Sequence, residues 1–195
     1  MSRFIATGAV GKSLGVVLAL VVTGCEAVPP EWVDREWVDR LAALRPKPEA
    51  SVRLSLPVQT PQTAQMEEQI RQRINEIRQQ QGLSELQANA KLAEVARRYS
   101  QQMAEQDFFS HTSPEGTTPS ERVRSAGITY QLVGENLFTS TNIPQPVDAA
   151  VKGWMNSPGH RENILRSQYR ETGIGVWRDG ETYYVTQLFL RSFGL

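Results

Sequence analysis

The stretch TGIGVWRDGETYYVTQLFL, residues 172–190, decides the fold. Its two halves are rich in the β-branched and aromatic residues that favour strands, and Asp179-Gly180 between them is a strong signal for a hairpin turn. We therefore predict two antiparallel strands here, TGIGVWR and TYYVTQLFL. Most of the preceding chain carries helical patterns. Because helical patterns come first along the chain and an antiparallel hairpin comes late, we predict an α+β fold in which helices pack on a small sheet.

Two helices are predicted well before the hairpin. From Ala64 onward, apolar residues recur at helical spacing: these are Met66, Ile70, Ile74 and Ile77. Gly82 is the expected stop of this helix. Asn89 can cap the next helix, which has an apolar face and is expected to end near Asp107. This second helix therefore delivers the loop FFSH, residues 108–111.

The middle of the chain mixes short helices with irregular segments. A short helix is predicted over residues 119–125, within a region that proline and glycine keep irregular. Another starts near Pro144 or Pro146, and Ser157-Pro158 begins one more turn of helix. The segment ITYQLVGENLFTS between them fits either a strand or a loop.

The composition is that of a globular protein. The chain has 195 residues, enough for one ordinary domain plus extra segments, and it is 39% hydrophobic and 22% charged. Lysine plus arginine and aspartate plus glutamate both number 21. This balance gives no basic excess, so we expect no nucleic-acid partner.

The first 25 residues, MSRFIATGAVGKSLGVVLALVVTGC, differ from the rest of the chain. They have a basic start without acidic residues, an apolar run shorter than the about 20 residues of a spanning helix, and a small-residue end. We interpret residues 1–24 as a secretory signal peptide. The ending VTGC resembles the lipobox of bacterial lipoproteins, which implies a lipid on Cys25, the only cysteine. We therefore expect export across the inner membrane and anchoring in the cell envelope, with a membrane as partner. The alternative is an uncleaved anchor with an incidental cysteine.

Residues 25–63 are predicted to form a tether. Prolines at this density stop regular structure and favour extended spacers. The tether contains EWVDR twice, at 31–35 and 36–40. A short amphipathic helix or a slipped duplication explains this repeat, and the alternative is that its tryptophans rest on a membrane interface or on the folded domain. Residues 64–195 are then the folded domain.

Four short polar stretches stand out in that domain: FFSH with His111, VGEN with Glu135 and Asn136, SPGHREN with His160 and Glu162, and GIGV in the first late strand. Each has an ordinary structural interpretation. A loop histidine can be merely exposed, an asparagine or glutamate can bond backbone groups, and an acid near a helix start can complement the helix dipole. Spacing alone favours these interpretations.

Taken together and in this order, the stretches resemble the CAP superfamily, also called SCP-like extracellular domains, and its bacterial branch in particular. The resemblance covers residues 66–193. It rests on the helix leading into FFSH, on the GEN triplet, on GWMNSPGHRENIL and on the closing GIGV…YYVTQLF strands. It implies a three-layer α-β-α sandwich with a small central antiparallel sheet and a broad cleft, in which two histidines and two glutamates face the cleft and can bind a divalent metal, often zinc.

The family's site residues carry over only in part. His111 matches the first histidine, Glu135 the first glutamate and His160 the second histidine. The second glutamate ends a Trp-x-x-Glu stretch, but here that stretch is WMNS, so Ser157 stands where the acid would be. Glu162 does not match a family position. The resemblance therefore implies a reduced cleft cluster of His111, Glu135 and His160, with the two histidines as metal ligands.

The cluster of His111, Glu135 and His160 is compatible with three functions. Two imidazoles make a weaker, more exchangeable divalent-metal site than the three protein ligands of a usual catalytic zinc centre. We therefore favour a binding module that takes a lipid, a cell-wall fragment or a protein in its cleft. The second hypothesis is a metal-dependent hydrolase acting on envelope peptides or lipids, with Glu135 as general base, although no nucleophile motif accompanies the cluster. The third is a structural domain whose cleft residues only stabilise the fold.

Overall fold

The structure, a computed structural model, describes residues 59–193. The predicted signal peptide 1–24, lipidation at Cys25 and the EWVDR repeat lie outside the described residues. Helices and strands follow one another in this order: α1 (Pro61–Gln80), β1 (Gln87–Ala88), α2 (Ala90–Glu105), α3 (Pro119–Ser125), β2 (Leu132–Thr141), α4 (Pro146–Asn156), α5 (Pro158–Leu165), β3 (Glu171–Asp179) and β4 (Thr182–Arg191).

Local capping explains where the helices begin. Helix α1 starts at Pro61, three residues before the predicted start near Ala64, because Thr60 caps it and proline at the first helical position needs no N–H partner. Asn89 caps α2 as predicted, with its side chain accepting from the Leu92 N–H. Helix α3 has the predicted bounds, and a capping box between Thr118 and Glu121 closes its first turn.

The sheet has the order β1-β3-β4-β2. Strands β3 and β4 form the predicted hairpin, with Asp179 opposite Thr182 and Gly180 at a positive φ of 55°. The ambiguous segment is a strand, β2, which pairs antiparallel with β4 along its whole length. The sheet is nevertheless mixed rather than purely antiparallel, because the two-residue β1 pairs parallel with the start of β3. Two residues are too few to show an alternating pattern, so β1 gave no sequence signal.

Helices cover both faces of this sheet, which confirms the three-layer α-β-α arrangement. On one face, α1, α4 and α5 pack against β3 and β4 around buried Trp154, Ile174 and Phe189. On the other face, α2 and α3 pack around Leu92 and Leu188. Alternate residues of β4 point to opposite faces, so the single strand supplies both cores.

Helix α2 lies directly on the backbone of β3. A Cβ atom added to Gly175 would lie 2.0 Å from the backbone nitrogen of Arg97, and one added to Gly173 would lie 2.3 Å from that of Ala93. Any side chain at these two positions would push the helix off the sheet. The GIGV stretch is therefore explained by close packing of helix and strand, without chemistry of its own.

Strand β2 lies at the other side of the sheet, where side chains cover its backbone. The indole N–H of Trp154 donates to the Leu137 carbonyl over 2.8 Å, and the Asn163 amide donates to the Glu135 carbonyl over 3.1 Å. These bonds attach α4 and α5 to β2 and satisfy edge carbonyls that would otherwise lie unpaired. The N-terminal turn of α5, which carries His160, is thereby placed beside β2.

Candidate functional site

The three predicted cleft residues come together although they lie far apart in the sequence. His111 lies in the loop after α2, Glu135 on β2 and His160 in the first turn of α5. The ring centroids of the two histidines are 6.3 Å apart, with an angle of 51° between the ring planes. The Nδ1 atom of His111 lies 2.8 Å from the Oε1 atom of Glu135. The structure therefore assembles one polar cluster at the β2 side of the sheet.

Strand alternation divides this cluster between the two layers. Glu135 is opposite Leu188 in the β2–β4 pair and shares its face, toward α2 and α3. Asn136 is opposite Gln187 and points toward α5, where its amide donates to the His160 carbonyl over 3.1 Å. Glu135 thus holds the side chain of His111 on the side of α2 and α3. The next residue, Asn136, holds the backbone of His160 on the side of α5.

The His111 side is organised by a buried ion pair. Glu135 has only 2% of its side chain exposed and uses both oxygens, since Oε1 contacts His111 and Oε2 accepts from the Arg122 guanidinium over 2.6 Å. The His111 side chain is 53% exposed. A carboxylate bound to Nδ1 selects the tautomer in which Nε2 carries the free lone pair, and it fixes the ring orientation.

Arg122 is a residue that the sequence did not single out. Its side chain is 9% exposed, and its guanidinium carbon lies 3.2 Å from the centroid of the Tyr99 ring. Nothing in the sequence of α3 distinguishes it from Arg124, which sits near Tyr130 at 5.6 Å. Only the tertiary arrangement shows that one of these two arginines is buried in the cleft cluster.

The His160 side is organised by amides rather than by charge. Asn163 donates both to the Glu135 carbonyl and to the Asn136 side-chain oxygen, over 3.1 and 2.9 Å. Burial and, to a lesser extent, the nearby His111 lower the pKa of His160 below its usual value. Its imidazole is therefore neutral at neutral pH, as a metal ligand must be.

Gly134, the glycine of VGEN, is required by this packing. A Cβ atom at this position would lie 2.2 Å from the Tyr169 hydroxyl and 3.1 Å from the side-chain oxygen of Asn163. The glycine thus makes room for the Tyr169 side chain and for the asparagine that attaches α5 to β2. Each residue of the GEN triplet therefore has a structural role. Gly134 provides space, Glu135 supplies a buried carboxylate, and Asn136 supplies an amide that binds backbone.

The two remaining residues of the α4–α5 corner play local roles. Ser157 ends α4 and begins α5, in an extended conformation, and its hydroxyl does not cap the helix. Glu162 forms an ion pair with Arg166 one turn later and is largely exposed. Neither supplies a second acid to the cluster of His111, Glu135 and His160.

His111 and His160 are the two side chains of the cluster that could hold a metal ion. Within residues 59–193, no group of three or more His, Cys, Asp and Glu side chains is arranged to hold a metal ion. Because the two oxygens of Glu135 are engaged by His111 and Arg122, this carboxylate is not free to bind a metal ion itself. A zinc ion lies about 2.0 Å from a ligating nitrogen. The 6.3 Å separation of the ring centroids is therefore near the outer limit for sharing one ion.

The loop that carries His111 is anchored from α2. The Tyr99 hydroxyl donates to the Ser110 carbonyl over 2.5 Å, and the Tyr99 ring packs edge-on against Phe108 with centroids 5.9 Å apart. Burial raises the pKa of Tyr99, which keeps this hydroxyl a donor. Phe109, by contrast, is 49% exposed beside His111. One phenylalanine of FFSH thus fixes the loop and the other faces solvent next to the cluster.

None of the helices in the described part of the chain is both long enough and apolar enough to cross a membrane.

Comparisons with known proteins agree with this architecture. The model of the cysteine-rich secretory protein family, CAP, matches residues 71–189. The uncharacterized protein YkwD of Bacillus subtilis is 40% identical over 116 residues, which are 60% of this chain and 43% of YkwD. The chain thus spans less than half of that relative.

Two of the solved structures with a similar fold illustrate the likeness. An extracellular protein of Bacillus anthracis that contains an SCP domain has a TM-score of 0.62 and 32% identity, covering 69% of this chain and 44% of that one. An outer surface protein of Borrelia burgdorferi has a TM-score of 0.61 at 24% identity, covering 67% of this chain and 95% of that one. At that identity, the second likeness concerns the fold alone.

Proposed function

The chain belongs to the cysteine-rich secretory protein family, CAP, and on that premise we propose that it is an extracytoplasmic binding module whose cleft holds a divalent metal ion, zinc being the best match, between His111 and His160. The observation that carries this proposal is the bond between the buried Glu135 carboxylate and His111 Nδ1. That bond leaves Nε2 available and orients the ring, as carboxylates do for zinc-binding histidines. When bound, the ion would supply Lewis acidity and open positions for an anionic or carbonyl group of a ligand.

The geometry supports binding over turnover. In the alternative function, a metal-dependent hydrolase acting on envelope peptides or lipids, Glu135 would be the general base. A general base must reach the proton that it removes, but this carboxylate is buried and both of its oxygens are engaged. The ligand chemistry that we propose for the cleft is a lipid, a cell-wall fragment or a protein.

We further propose that the protein is a lipoprotein anchored in the cell envelope through Cys25, with residues 25–63 as its tether. The basic, then apolar, then VTGC pattern of the first 25 residues supports this location. So does the first of the two structural relatives, which is an extracellular protein of Bacillus anthracis. A Cys25→Ser variant should leave the membrane fraction or keep its signal peptide, whereas unchanged fractionation and mass would contradict the anchor.

The metal site is tested by zinc titration of the full chain, using calorimetry and elemental analysis. His111→Ala and His160→Ala should each weaken zinc binding by more than about tenfold, because even changes to residues behind a ligand cost 10–100-fold. The matched control is Glu162→Gln, which removes an exposed carboxylate two residues from His160 and should leave the affinity unchanged. Full zinc content in both histidine variants would refute the site.

The same variants separate the three hypotheses. Lower melting temperature without any change in zinc content would favour a purely structural role for the cluster. Hydrolysis of envelope peptides or phospholipids by the zinc-loaded chain, abolished in Glu135→Gln while zinc is kept, would favour the hydrolase.

A further inference from the structure

Arg122 contacts Glu135 and the backbone of His111 in the cleft cluster without being a candidate ligand itself. It projects from α3, its side chain is 9% exposed, and its guanidinium is stacked on the Tyr99 ring. A buried guanidinium is costly unless its donors are bound. The contacts that it makes therefore indicate what it does in the site.

Its contacts reach both the carboxylate and the backbone of the His111 loop. The Nη2 group donates to Glu135 Oε2 over 2.6 Å. The Nη1 group donates to the carbonyls of Thr117 and His111, over 2.9 and 3.2 Å. One rigid planar fork thus fixes the acid that binds the His111 ring and the main chain that carries this ring.

The carboxylate depends on this fork for its orientation. Glu135 has two oxygens, one for Arg122 and one for His111, so the guanidinium determines which oxygen faces the imidazole. A bond from a charged donor is shorter and stronger than one from a neutral amide. Without the guanidinium, the carboxylate can rotate or withdraw from the ring, and His111 loses its fixed tautomer.

We propose that Arg122 is the positioning residue of the cleft, which holds Glu135 in the orientation that binds His111 Nδ1 and at the same time holds the backbone of His111. Its effect on metal binding rests on the proposed function. Its effect on the tautomer of His111 does not, because the bonds involved are made by the protein alone.

The test is long-range proton–nitrogen NMR of the imidazoles in the metal-free full chain at about pH 9, where imidazoles are neutral. In the wild type, His111 should be protonated at Nδ1. In Arg122→Gln, which keeps an amide donor but removes the charge, the ratio of the two tautomers should fall about tenfold, the size of one lost charge-assisted bond. Arg122→Lys, which keeps the charge, should restore most of the Nδ1–H form.

Arg124→Gln is the matched control, since it removes a neighbouring exposed arginine of the same helix. It should leave the tautomer of His111 unchanged. A folded Arg122→Gln protein with the wild-type tautomer ratio would overturn the proposal, and so would an equal shift in Arg124→Gln.

A measurement on the wild type also tests the proposed role of Arg122, even where Arg122→Gln does not fold. The Arg122 guanidinium should show separate, exchange-protected Nη proton signals, because two of its nitrogens donate to fixed acceptors. Freely averaged signals would overturn the proposal.

Zinc titration of the same variants distinguishes a failure of the proposed Arg122 role from a failure of the proposed metal site. If the wild type binds zinc, Arg122→Gln should bind it 10–100-fold more weakly with Arg124→Gln unaffected, and unchanged affinity would overturn the inference while the metal site stands. If the wild type binds no zinc, a tautomer shift confined to Arg122→Gln still supports Arg122 as the positioning residue, and only the metal site fails.

Discussion

The β3 side and the β2 side of the molecule hold their helices in opposite ways. On β3, helix α2 rests backbone against backbone over Gly173 and Gly175. On β2, helices α4 and α5 are attached by hydrogen bonds from Trp154 and Asn163 to strand carbonyls. The first contact depends on the absence of side chains, whereas the second depends on specific side chains.

This difference separates the fold from the site. The β3 contact is buried and close-packed, so it tolerates no added volume. The β2 side instead carries polar groups, and the His111 side chain on it is 53% exposed. A ligand site needs partly exposed groups on a fixed support, and the β2 side has this combination in the half-exposed His111 above the buried Glu135.

The largest effect is expected at the β3 contact. In Gly175→Val, a Cβ atom 2.0 Å from the Arg97 nitrogen forces α2 away from the sheet. The free energy of unfolding should fall by at least about 3 kcal/mol, the upper range for overpacking, or the protein should fail to fold. Urea unfolding measures this loss.

Gly159→Ala is the control for that substitution. Gly159 lies in the first turn of α5, where an added Cβ atom would have no heavy atom within 4 Å. The free energy of unfolding should stay unchanged or rise by up to about 1 kcal/mol, because alanine is the better helix former. Wild-type stability in Gly175→Val would show that α2 is not pressed on β3.

An intermediate effect is expected at the β2 side. Trp154→Phe removes the indole donor but keeps an aromatic ring, so the buried Leu137 carbonyl loses its side-chain partner. An unsatisfied buried group costs about 1–3 kcal/mol. Urea unfolding should show a loss in this range, with the protein still folded.

Trp177→Phe provides the comparison, because Trp177 is a partly buried tryptophan on β3. It should lose less than about 1 kcal/mol, as expected for a partly exposed position. Equal losses in the two tryptophan variants would contradict the role of the indole bond in attaching α4 to β2.

The elements with strong local signals were predictable from the sequence. The hairpin around Gly180, the Asn89 cap and the helix over 119–125 all follow from turn, capping and periodicity rules that act within a few residues. The two-residue β1 was not predictable, because it exists only through its pairing with β3.

The site was predictable only through the family resemblance. Spacing alone gave His111, Glu135 and His160 no connection, since the sheet and the α4–α5 corner bring them together. Arg122 escaped prediction for the same reason: it differs from Arg124 only by facing the core, which depends on how α3 packs.

The smallest expected effect concerns acid stability on the β2 side, in metal-free protein. Burial and the nearby His111 lower the pKa of His160 in the folded state below the 6.5 of an unperturbed histidine. The unfolded chain therefore takes up the proton more readily. The stability that neutral His160 contributes is fully present above about pH 6.5 and is lost as the pH falls below that value toward the lowered folded pKa. His160→Gln removes this contribution, so its melting temperature should decline less than that of the wild type between about pH 7.5 and about pH 5.5.

Other acid-sensitive groups are common to both proteins and cancel in the difference. Parallel declines would mean that His160 is no more buried in the folded protein than in the unfolded chain, and the cleft would then be open on its α5 side as well as at His111.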